Sequence, residues 1–291
     1  MKTALIVGVA GQDGSYLSDH LLSLGYEVHG IIRSSPQKSR MYHLNDKIYT
    51  HRGDLLDTSS LFEIMSETKP DEIYNLAAIH KVYHHQDHEN KGLSGPHFTI
   101  QTNALGVLNL LEAYRKTSSS AKFFQAGSSE MFGNSTDKDN TQRLTTPMRP
   151  ISSYGCAKLL AYNLVRHYRD AYGLHACNGI LFNHNSSRRS PNFVAGKIVK
   201  TAVEIKKGLK NKLELGNINI SRDWGHSKDY VRAMHMIVKH NNPREWIVAT
   251  GKSRTVRNIC QYVFNKLGMD YENYIVQDIK YMRPEELMCL K

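Results

Sequence analysis

The first two dozen residues constrain the fold of this chain more than any other stretch. Residues 3–7 are a short aliphatic run, residues 8–14 read Gly-Val-Ala-Gly-Gln-Asp-Gly, and apolar residues then recur at helical spacing through residue 24. A strand, a glycine turn and a helix in this order are typical of a dinucleotide fold, because the glycines let a pyrophosphate approach a helix N-terminus. A purely structural turn is the alternative. The predicted cofactor contacts in this loop are Gly8, Gly11, Gln12, Asp13 and Gly14.

Strand and helix patterns then alternate along the chain. Strands are predicted at 27–32, 48–51, 72–78, 122–126 and 177–181, and helices at 59–68, 102–116 and 154–172, with an irregular insertion between 79 and 101. This alternation predicts an α/β fold, a doubly wound parallel sheet (Rossmann) with a smaller C-terminal lobe. We expect residues 1–182 to form the dinucleotide domain, with a returning strand near 246–250, and residues 183–291 to form mainly the substrate lobe.

The end of the second predicted strand indicates which dinucleotide is bound. An NAD site places Asp or Glu there, whereas this chain has Arg33, followed by Lys38 and Arg40. A guanidinium can hold a 2′-phosphate through paired, charge-assisted hydrogen bonds, so NADP is the predicted cofactor. A solvated basic loop is the alternative. Three further predicted cofactor contacts lie along the third and fourth strands and their ends: Asp54, Leu55 and Leu76.

Tyr154 and Lys158 form a candidate catalytic pair. They are four residues apart and share one face of the predicted helix. A neighbouring ammonium favours phenolate, so we expect the pKa of Tyr154 to be lowered until it is a usable base near neutral pH. Ser128, just after the fifth strand, could hydrogen-bond the same substrate hydroxyl. This set suffices for hydride transfer to a nicotinamide, although a Tyr-x-x-x-Lys pair alone arises often by chance.

Glu130 adds a carboxylate that a plain dehydrogenase does not need. Oxidation of a sugar C4 hydroxyl acidifies the proton on C5. A nearby carboxylate could remove that proton and then help the C6 hydroxyl to leave as water. A helix-start or surface carboxylate is the other interpretation, and the residues themselves leave both open.

The charge balance favours anionic partners. The 291 residues carry a formal net charge of +11 and a pI near 9.4. The partner could be nucleic acid, a membrane surface or a phosphorylated small molecule, and the charges alone do not choose among them. The basic helix predicted at 194–207 lacks aromatic interleaving and a nucleic-acid motif, which argues against nucleic acid. No apolar stretch is long enough to span a bilayer, and the isolated cysteines suit a reducing compartment, so we expect a cytoplasmic protein without a membrane partner.

His80, His84 and His88 could share a helix face, but glycines and a proline follow them, so no metal site is expected.

Motifs spread along the chain resemble a known family. They include the glycine loop 8–14, Tyr-Gly-x-Ala-Lys at 154–158, Phe-Asn-His at 182–184, Arg-Asp-Trp-Gly-His at 222–226 and Arg-Pro-x-Glu at 283–286. The chain resembles the extended short-chain dehydrogenases/reductases and, among them, the GDP-mannose 4,6-dehydratases. The resemblance implies an NADP-dependent lyase that dehydrates a GDP-sugar, forms a homodimer or homotetramer, and uses Ser128, Glu130, Tyr154 and Lys158 in catalysis. The substrate contacts that it implies are Asn183, Val194, Lys197, Arg222, Arg283 and Glu286.

Three departures from the family pattern bear on these expectations. Ser128 stands where the family has threonine, and losing the methyl group that limits the hydroxyl rotamer predicts slower turnover. The loop after Arg33 is shorter than in the family, which weakens the expectation of a tetramer. The chain is expected to lack the family's terminal segment. Alternative functions are the same chemistry on another nucleotide-sugar, an epimerase or reductase, and a non-catalytic nucleotide-binding regulator.

Overall fold

The strands in the described part of the chain form one large sheet and two small ones. The computed structural model describes residues 1–33, 41–79, 95–282 and 289–290. Within these ranges the strands are β1 (Thr3–Val7), β2 (Glu27–Ile32), β3 (Tyr49–Arg52), β4 (Glu72–Asn75), β5 (Lys122–Ala126), β6 (Ala176–Leu181), β7 (Asn183–Asn185), β8 (Leu213–Leu215), β9 (Ser221–His226), β10 (Glu245–Val248), β11 (Ser253–Thr255), β12 (Ile275–Gln277) and β13 (Cys289–Leu290).

The central sheet is parallel throughout. Its order is β3-β2-β1-β4-β5-β6-β10, so the direction of winding reverses between β1 and β4. That reversal is the hallmark of a doubly wound α/β sheet and confirms the predicted fold class. The strand near 246–250 that was expected to return to the sheet is β10, paired with β6.

Helices alternate with these strands. They are α1 (Gln12–Ser23), α2 (Thr58–Thr68), α3 (Gly95–Ile100), α4 (Gly106–Thr117), α5 (Ser153–Tyr172), α6 (Val194–Lys206), α7 (Ser227–Lys239) and α8 (Val256–Lys266). Across the part of the chain that the structure describes, no helix has the length and apolar character needed to cross a membrane.

One helix begins earlier than the sequence predicted. The expectation of irregular chain up to residue 101 is wrong for residues 95–101, because α3 starts at Gly95 and continues through a π-helical turn (Gln101–Leu105) into α4. Pro96 lies in the first turn, where a helix needs no backbone N–H donor and the proline ring is tolerated. Thr99 Oγ1 also donates to the Gly95 carbonyl at 2.9 Å.

Both faces of the central sheet are covered by helices. On one face α1 and α7 pack together through side chains such as Leu17, Leu21 and Met234. On the other face α2, α4 and α5 contribute Leu61, Leu110 and Val165 among others. Burial on both faces explains why the strands read as continuous apolar runs rather than as alternating patterns.

A further apolar cluster surrounds α6 and α8 in the C-terminal part of the chain. Its core includes Ile198, Leu213 and Phe264. Two small sheets flank it: β11-β9-β13, with β7 also paired to β9, and β12-β8. The chain nevertheless returns to the central sheet for α7 and β10, so the division at residue 183 stays a prediction.

Candidate active site

Most of the predicted site residues that the structure describes lie at the carboxyl edge of the central sheet. The carboxyl ends of parallel strands meet at one edge, and ligands bind there, where the strand order reverses. In this structure the residues at that edge follow six different strands: Gly8 to Gly14 after β1, Arg33 after β2, Asp54 and Leu55 after β3, Leu76 after β4, Ser128 and Glu130 after β5, and Asn183 after β6.

Two glycines of the loop, Gly8 and Gly14, leave no space for a side chain at their positions. Gly8 has φ +87°, and a Cβ there would lie 2.8 Å from the Ala77 nitrogen. A Cβ on Gly14 would lie 2.5 Å from the Gly8 carbonyl oxygen. Gly11 is the N-cap of α1, so the loop leads directly into the N-terminus of that helix. The arrangement fits a pyrophosphate, which needs close backbone approach and exposed N–H groups.

Asp54 and Arg33 differ in how they sit at this edge. Asp54 Oδ1 accepts from the Leu56 backbone N–H at 2.9 Å, which is the turn contact that an aspartate at a strand end commonly makes. Arg33 is exposed directly after β2. Lys38 and Arg40 lie outside the described residues.

Asp13, at the start of α1, is paired with His184 on β7. The two ring nitrogens of His184 face the Phe182 carbonyl at 2.8 Å and Asp13 Oδ2 at 2.9 Å. The ring of His184 therefore bridges the backbone after β6 and the carboxylate at the start of α1. Burial by itself raises the pKa of Asp13, but the charges of His184 and Arg189 and the hydrogen bonds from His184 and Gln12 outweigh it, so the pKa is lowered.

The Ser128 hydroxyl connects the candidate catalytic groups. Ser128 caps the short 3₁₀ turn Ser129–Phe132, and its Oγ accepts from the Glu130 backbone N–H at 3.2 Å. The same hydroxyl is hydrogen-bonded to Tyr154. Tyr154 is the second residue of α5, whose N-terminus is capped by Ser152 through the Gly155 N–H at 3.0 Å. Two capped helix starts therefore bring the hydroxyl, the phenol and the carboxylate residue together.

Gly155 permits this close approach. A Cβ at Gly155 would lie 2.7 Å from the Glu130 carbonyl oxygen and 2.9 Å from Pro150 Cβ. The first turn of α5 therefore packs directly on the backbone of the turn that contains Glu130. No residue with a side chain fits there without displacing one of the two elements.

The expectation of a lowered pKa for Tyr154 is wrong for this structure. Burial, followed by the negative charge of Glu130, raises the pKa of Tyr154 to about 12, and the opposing effects of Ser128 and Arg189 are smaller. Lys158 Nζ donates to the Ala126 carbonyl at 2.8 Å and lies 5.8 Å from the centroid of the Tyr154 ring. Burial lowers the pKa of Lys158 to about 8. The spacing of four residues placed both side chains on one face, but the ammonium bonds to β5 rather than to the phenol.

Two of the expected substrate contacts lie on neighbouring strands. Asn183 is on β7 and Arg222 on β9, and these strands pair in parallel. Arg222 is 4% exposed, and its Nη1 donates to the Ser221 carbonyl at 2.8 Å.

The remaining expected substrate contacts lie at α6 and near residue 283. Val194 and Lys197 are in the first turn of α6. Lys197 Nζ lies 3.5 Å from the centroid of the Tyr281 ring, and burial lowers the pKa of Lys197. Arg283 and Glu286 lie outside the described residues, but Tyr281 brings the preceding chain next to α6.

Sequence reasoning missed His184 and Arg189 as site residues. His184 pairs with Asp13, and the charge of Arg189 acts on both Asp13 and Tyr154. The available signal was position, because both residues follow β6 at the carboxyl edge of the sheet.

A metal centre has no candidate among the described residues, where no three potential ligands cluster. His80, His84 and His88 lie outside that part of the chain.

Solved structures share this architecture. A dTDP-glucose 4,6-dehydratase from Bacillus anthracis, in complex with NAD, superposes with a TM-score of 0.84 at 20% identity and covers 100% of this chain and 87% of its own. RMD from Pseudomonas aeruginosa, complexed with NADPH, superposes with a TM-score of 0.78 at 22% identity and covers 100% and 90%. At these identities the likeness establishes the fold.

Sequence relatives are much closer. The family model for GDP-mannose 4,6 dehydratase matches residues 5–289. GDP-mannose 4,6 dehydratase 1 of Arabidopsis thaliana is 43% identical over 304 aligned positions, which cover 100% of this chain and 81% of the relative. GDP-mannose 4,6-dehydratase of Yersinia enterocolitica is 44% identical over 283 positions, covering 94% and 74%. The chain therefore belongs to the GDP-mannose 4,6-dehydratase family of enzymes, within the extended short-chain dehydrogenases/reductases.

Proposed function

We propose that the enzyme catalyses the NADP-dependent dehydration of GDP-mannose to GDP-4-keto-6-deoxy-mannose. The observation that carries the proposal is the Ser128 hydroxyl, which bonds to both Tyr154 and the backbone of Glu130 at the carboxyl edge of the sheet. An epimerase or reductase needs the hydroxyl and the phenol but no carboxylate at this place. A dehydratase needs all three groups.

The substrate site is assigned from charge and position. The reacting sugar would lie over Ser128, with the diphosphate held by the cations Lys197 and Arg222. Asn183 lies on the strand paired with that of Arg222. Arg283 and Glu286, which lie outside the described residues, would bind the nucleoside.

The dinucleotide site is assigned from the glycine loop and Arg33. The loop admits a pyrophosphate because no Cβ fits at Gly8 or Gly14. At the end of β2 the chain offers an exposed guanidinium where an NAD site would have a carboxylate, which supports NADP. The bound nicotinamide supplies one chemistry, which is to store a hydride taken from C4 until it returns to C6.

Tyr154 is assigned as the base for the C4 hydroxyl. Ser128 would bond to that hydroxyl and fix its direction toward the phenol. The raised pKa of Tyr154 means that the phenol is protonated at neutral pH in the structure as it stands. Deprotonation therefore requires added positive charge. Arg189 already acts in that direction, and Lys158 would act more strongly after moving from the Ala126 carbonyl toward the ring.

Glu130 is assigned as the acid and base of the elimination. With C4 a ketone, the C5 proton is acidic and Glu130 removes it. The resulting carboxylic acid then protonates the C6 hydroxyl, which leaves as water while the C5–C6 double bond forms. The hydride then returns to C6, and C5 gains a proton that balances the one Tyr154 took from the C4 hydroxyl. Each turnover therefore releases one water and consumes no cofactor.

Incubation with GDP-mannose and a catalytic amount of NADP tests the proposal. Mass spectrometry should show the loss of one water from the sugar without net reduction of NADP. No loss of water from GDP-mannose or any other GDP-hexose would refute the proposal and leave the nucleotide-binding alternative standing.

The variant Glu130→Gln tests the role of the carboxylate. It should still oxidise C4, which is seen as absorbance of the reduced nicotinamide, but release no water. Full product from this variant would show that another group performs the elimination. The expectation of a homodimer or homotetramer stays a prediction.

A further inference from the structure

Arg188 fastens the loop that follows β7 to α1. Its Nη1 donates to Ser15 Oγ at 3.1 Å, and its Nη2 lies 2.7 Å from Asp19 Oδ2. The guanidinium carbon lies 3.9 Å from the centroid of the Tyr16 ring. We name these contacts the Arg188 clasp. They use both the edge and the face of a planar guanidinium, which a lysine ammonium cannot reproduce.

The loop held by the Arg188 clasp is a tight turn. Ser186 Oγ donates to Gln12 Oε1 at 2.9 Å and accepts from the Arg188 N–H at 3.1 Å. The Arg189 N–H donates to the Ser186 carbonyl at 3.0 Å. The turn is therefore attached to α1 at two places, at Gln12 beside the glycine loop and through the clasp one helical turn further on.

The residue after Arg188 acts on the site itself. The charge of Arg189 reaches Asp13 in the glycine loop and Tyr154 in the catalytic group, and the Arg189 guanidinium lies 3.7 Å from the centroid of the Phe193 ring. The side-chain contacts of Arg188 in the clasp are with Ser15, Tyr16 and Asp19, not with Asp13 or Tyr154. Its influence on them would pass through the backbone of the turn.

Asp19 extends the Arg188 clasp to a third segment. Its Oδ1 lies 2.9 Å from His43 Nε2, in the turn Tyr42–Leu44. That turn follows the segment 33–40, which is expected to hold the 2′-phosphate. One carboxylate thus joins α1, the turn 186–189 and the chain leaving the expected 2′-phosphate segment.

We propose that Arg188 is a positioning residue. Its contacts with Ser15, Tyr16 and Asp19 keep the charge of Arg189 beside the glycine loop and Tyr154. The inference deepens the proposed function and rests on it for the identity of the dinucleotide. A purely structural ion pair on the surface of α1 is the competing interpretation. It predicts a loss of stability and no change at the site.

Arg188→Lys tests the proposal. It keeps the positive charge but loses the paired N–H donors of the guanidinium and its contact with the Tyr16 ring. The Kd of NADP⁺, measured by titration calorimetry, should rise by about tenfold to about a hundredfold, because losing a hydrogen bond from a charged group such as Arg189 has an effect of that order. The acid limb of the pH–rate profile for C4 oxidation should also move to higher pH, since Arg189 no longer favours the phenolate. A structural ion pair would move only the melting temperature.

Arg115→Lys is the matched control. Arg115 also pairs with a carboxylate, Glu112 at 2.9 Å, and its guanidinium carbon lies 4.8 Å from the centroid of the Tyr172 ring. It lies on α4, away from the glycine loop, so its replacement should leave the Kd of NADP⁺ unchanged. An equal rise in Kd in both variants would overturn the proposal.

Asp19→Asn tests the contact between Arg188 and Asp19 by changing the carboxylate partner. If Arg188 acts through Asp19, the double variant Arg188→Lys/Asp19→Asn should bind NADP⁺ no more weakly than the weaker single variant. Native protein that binds NADP⁺ while Arg188→Lys binds it within twofold of native would refute the Arg188 clasp and leave the proposed function standing. Native protein that binds neither NADP⁺ nor NAD⁺ would overturn both.

Discussion

Replacing Gly155 by alanine adds one methyl group at the closest approach between α5 and the turn that contains Glu130. The new Cβ would lie 2.7 Å from the Glu130 carbonyl oxygen, whereas ordinary contact begins at 3.4 Å. The two elements must therefore separate by about 0.7 Å. Tyr154 and Glu130 lie on opposite sides of this contact, so the substitution widens the catalytic group itself.

The expected effects on activity and stability differ in size. A displacement of about 1 Å can lower a rate by about a hundredfold, so we expect kcat to fall by about tenfold or more. Overpacking costs about 1–3 kcal/mol, and alanine returns up to about 1 kcal/mol of helix propensity. The net loss in the free energy of unfolding is about 0–3 kcal/mol, which corresponds to a fall of at most several degrees in melting temperature.

The assay compares kcat for water loss from GDP-mannose with the melting temperature of the same preparation. Cys156→Ala is the control, because Cys156 is the next residue of α5 and is exposed, so both quantities should stay near the native values. Unchanged kcat in Gly155→Ala would refute the view that this contact sets the spacing of Tyr154 and Glu130. A large fall in melting temperature with normal kcat per folded molecule would refute it equally.

Three further substitutions test other parts of the site. Ser128→Thr should raise the single-turnover rate of C4 oxidation, since the added methyl limits the hydroxyl rotamer, and an unchanged or lower rate contradicts this. Arg33→Ser should weaken NADP⁺ binding and leave NAD⁺ binding nearly unchanged, as read by calorimetry with both dinucleotides; equal weakening of the two would show that Arg33 does not contact the 2′-phosphate. Lys158 loses its proton near pH 8 when folded but near 10.5 when unfolded, so its contribution to the free energy of unfolding should increase as pH rises from about 8 to about 10, by on the order of 1–3 kcal/mol. Denaturant unfolding at both pH values should show this increase in the native protein and lose it in Lys158→Met.

The fold could be predicted because its signals are local. The aliphatic runs indicated the buried strands, and their alternation with helical patterns indicated the doubly wound sheet. The loop from Gly8 to Gly14 indicated the helix N-terminus that follows β1. The start of α3 could not be predicted in this way. Gly95 and Pro96 suggest a break in most contexts, but a proline in the first turn of a helix is tolerated.

The candidate site could be predicted only in part because its electrostatics depend on contacts distant in sequence. The spacing of Tyr154 and Lys158 fixes a shared helix face, but the partner of the ammonium is the carbonyl of Ala126, 32 residues earlier. The contact of Asp13 with His184 joins residues 171 positions apart across the edge of the sheet. Neither partner follows from a local pattern.

The return of α7 and β10 to the central sheet has a consequence for biosynthesis. The apolar face of α1 is complete by residue 23, but its covering helix α7 spans residues 227–239, and the last strand of the sheet ends at residue 248. A nascent chain leaves the ribosome in N- to C-terminal order. The face of α1 that α7 covers, with Leu17 and Leu21, and the edge of β6 that β10 covers therefore stay exposed until residue 248 has been translated. The protein should depend on chaperones during synthesis more than a protein whose sheet closes within its first half.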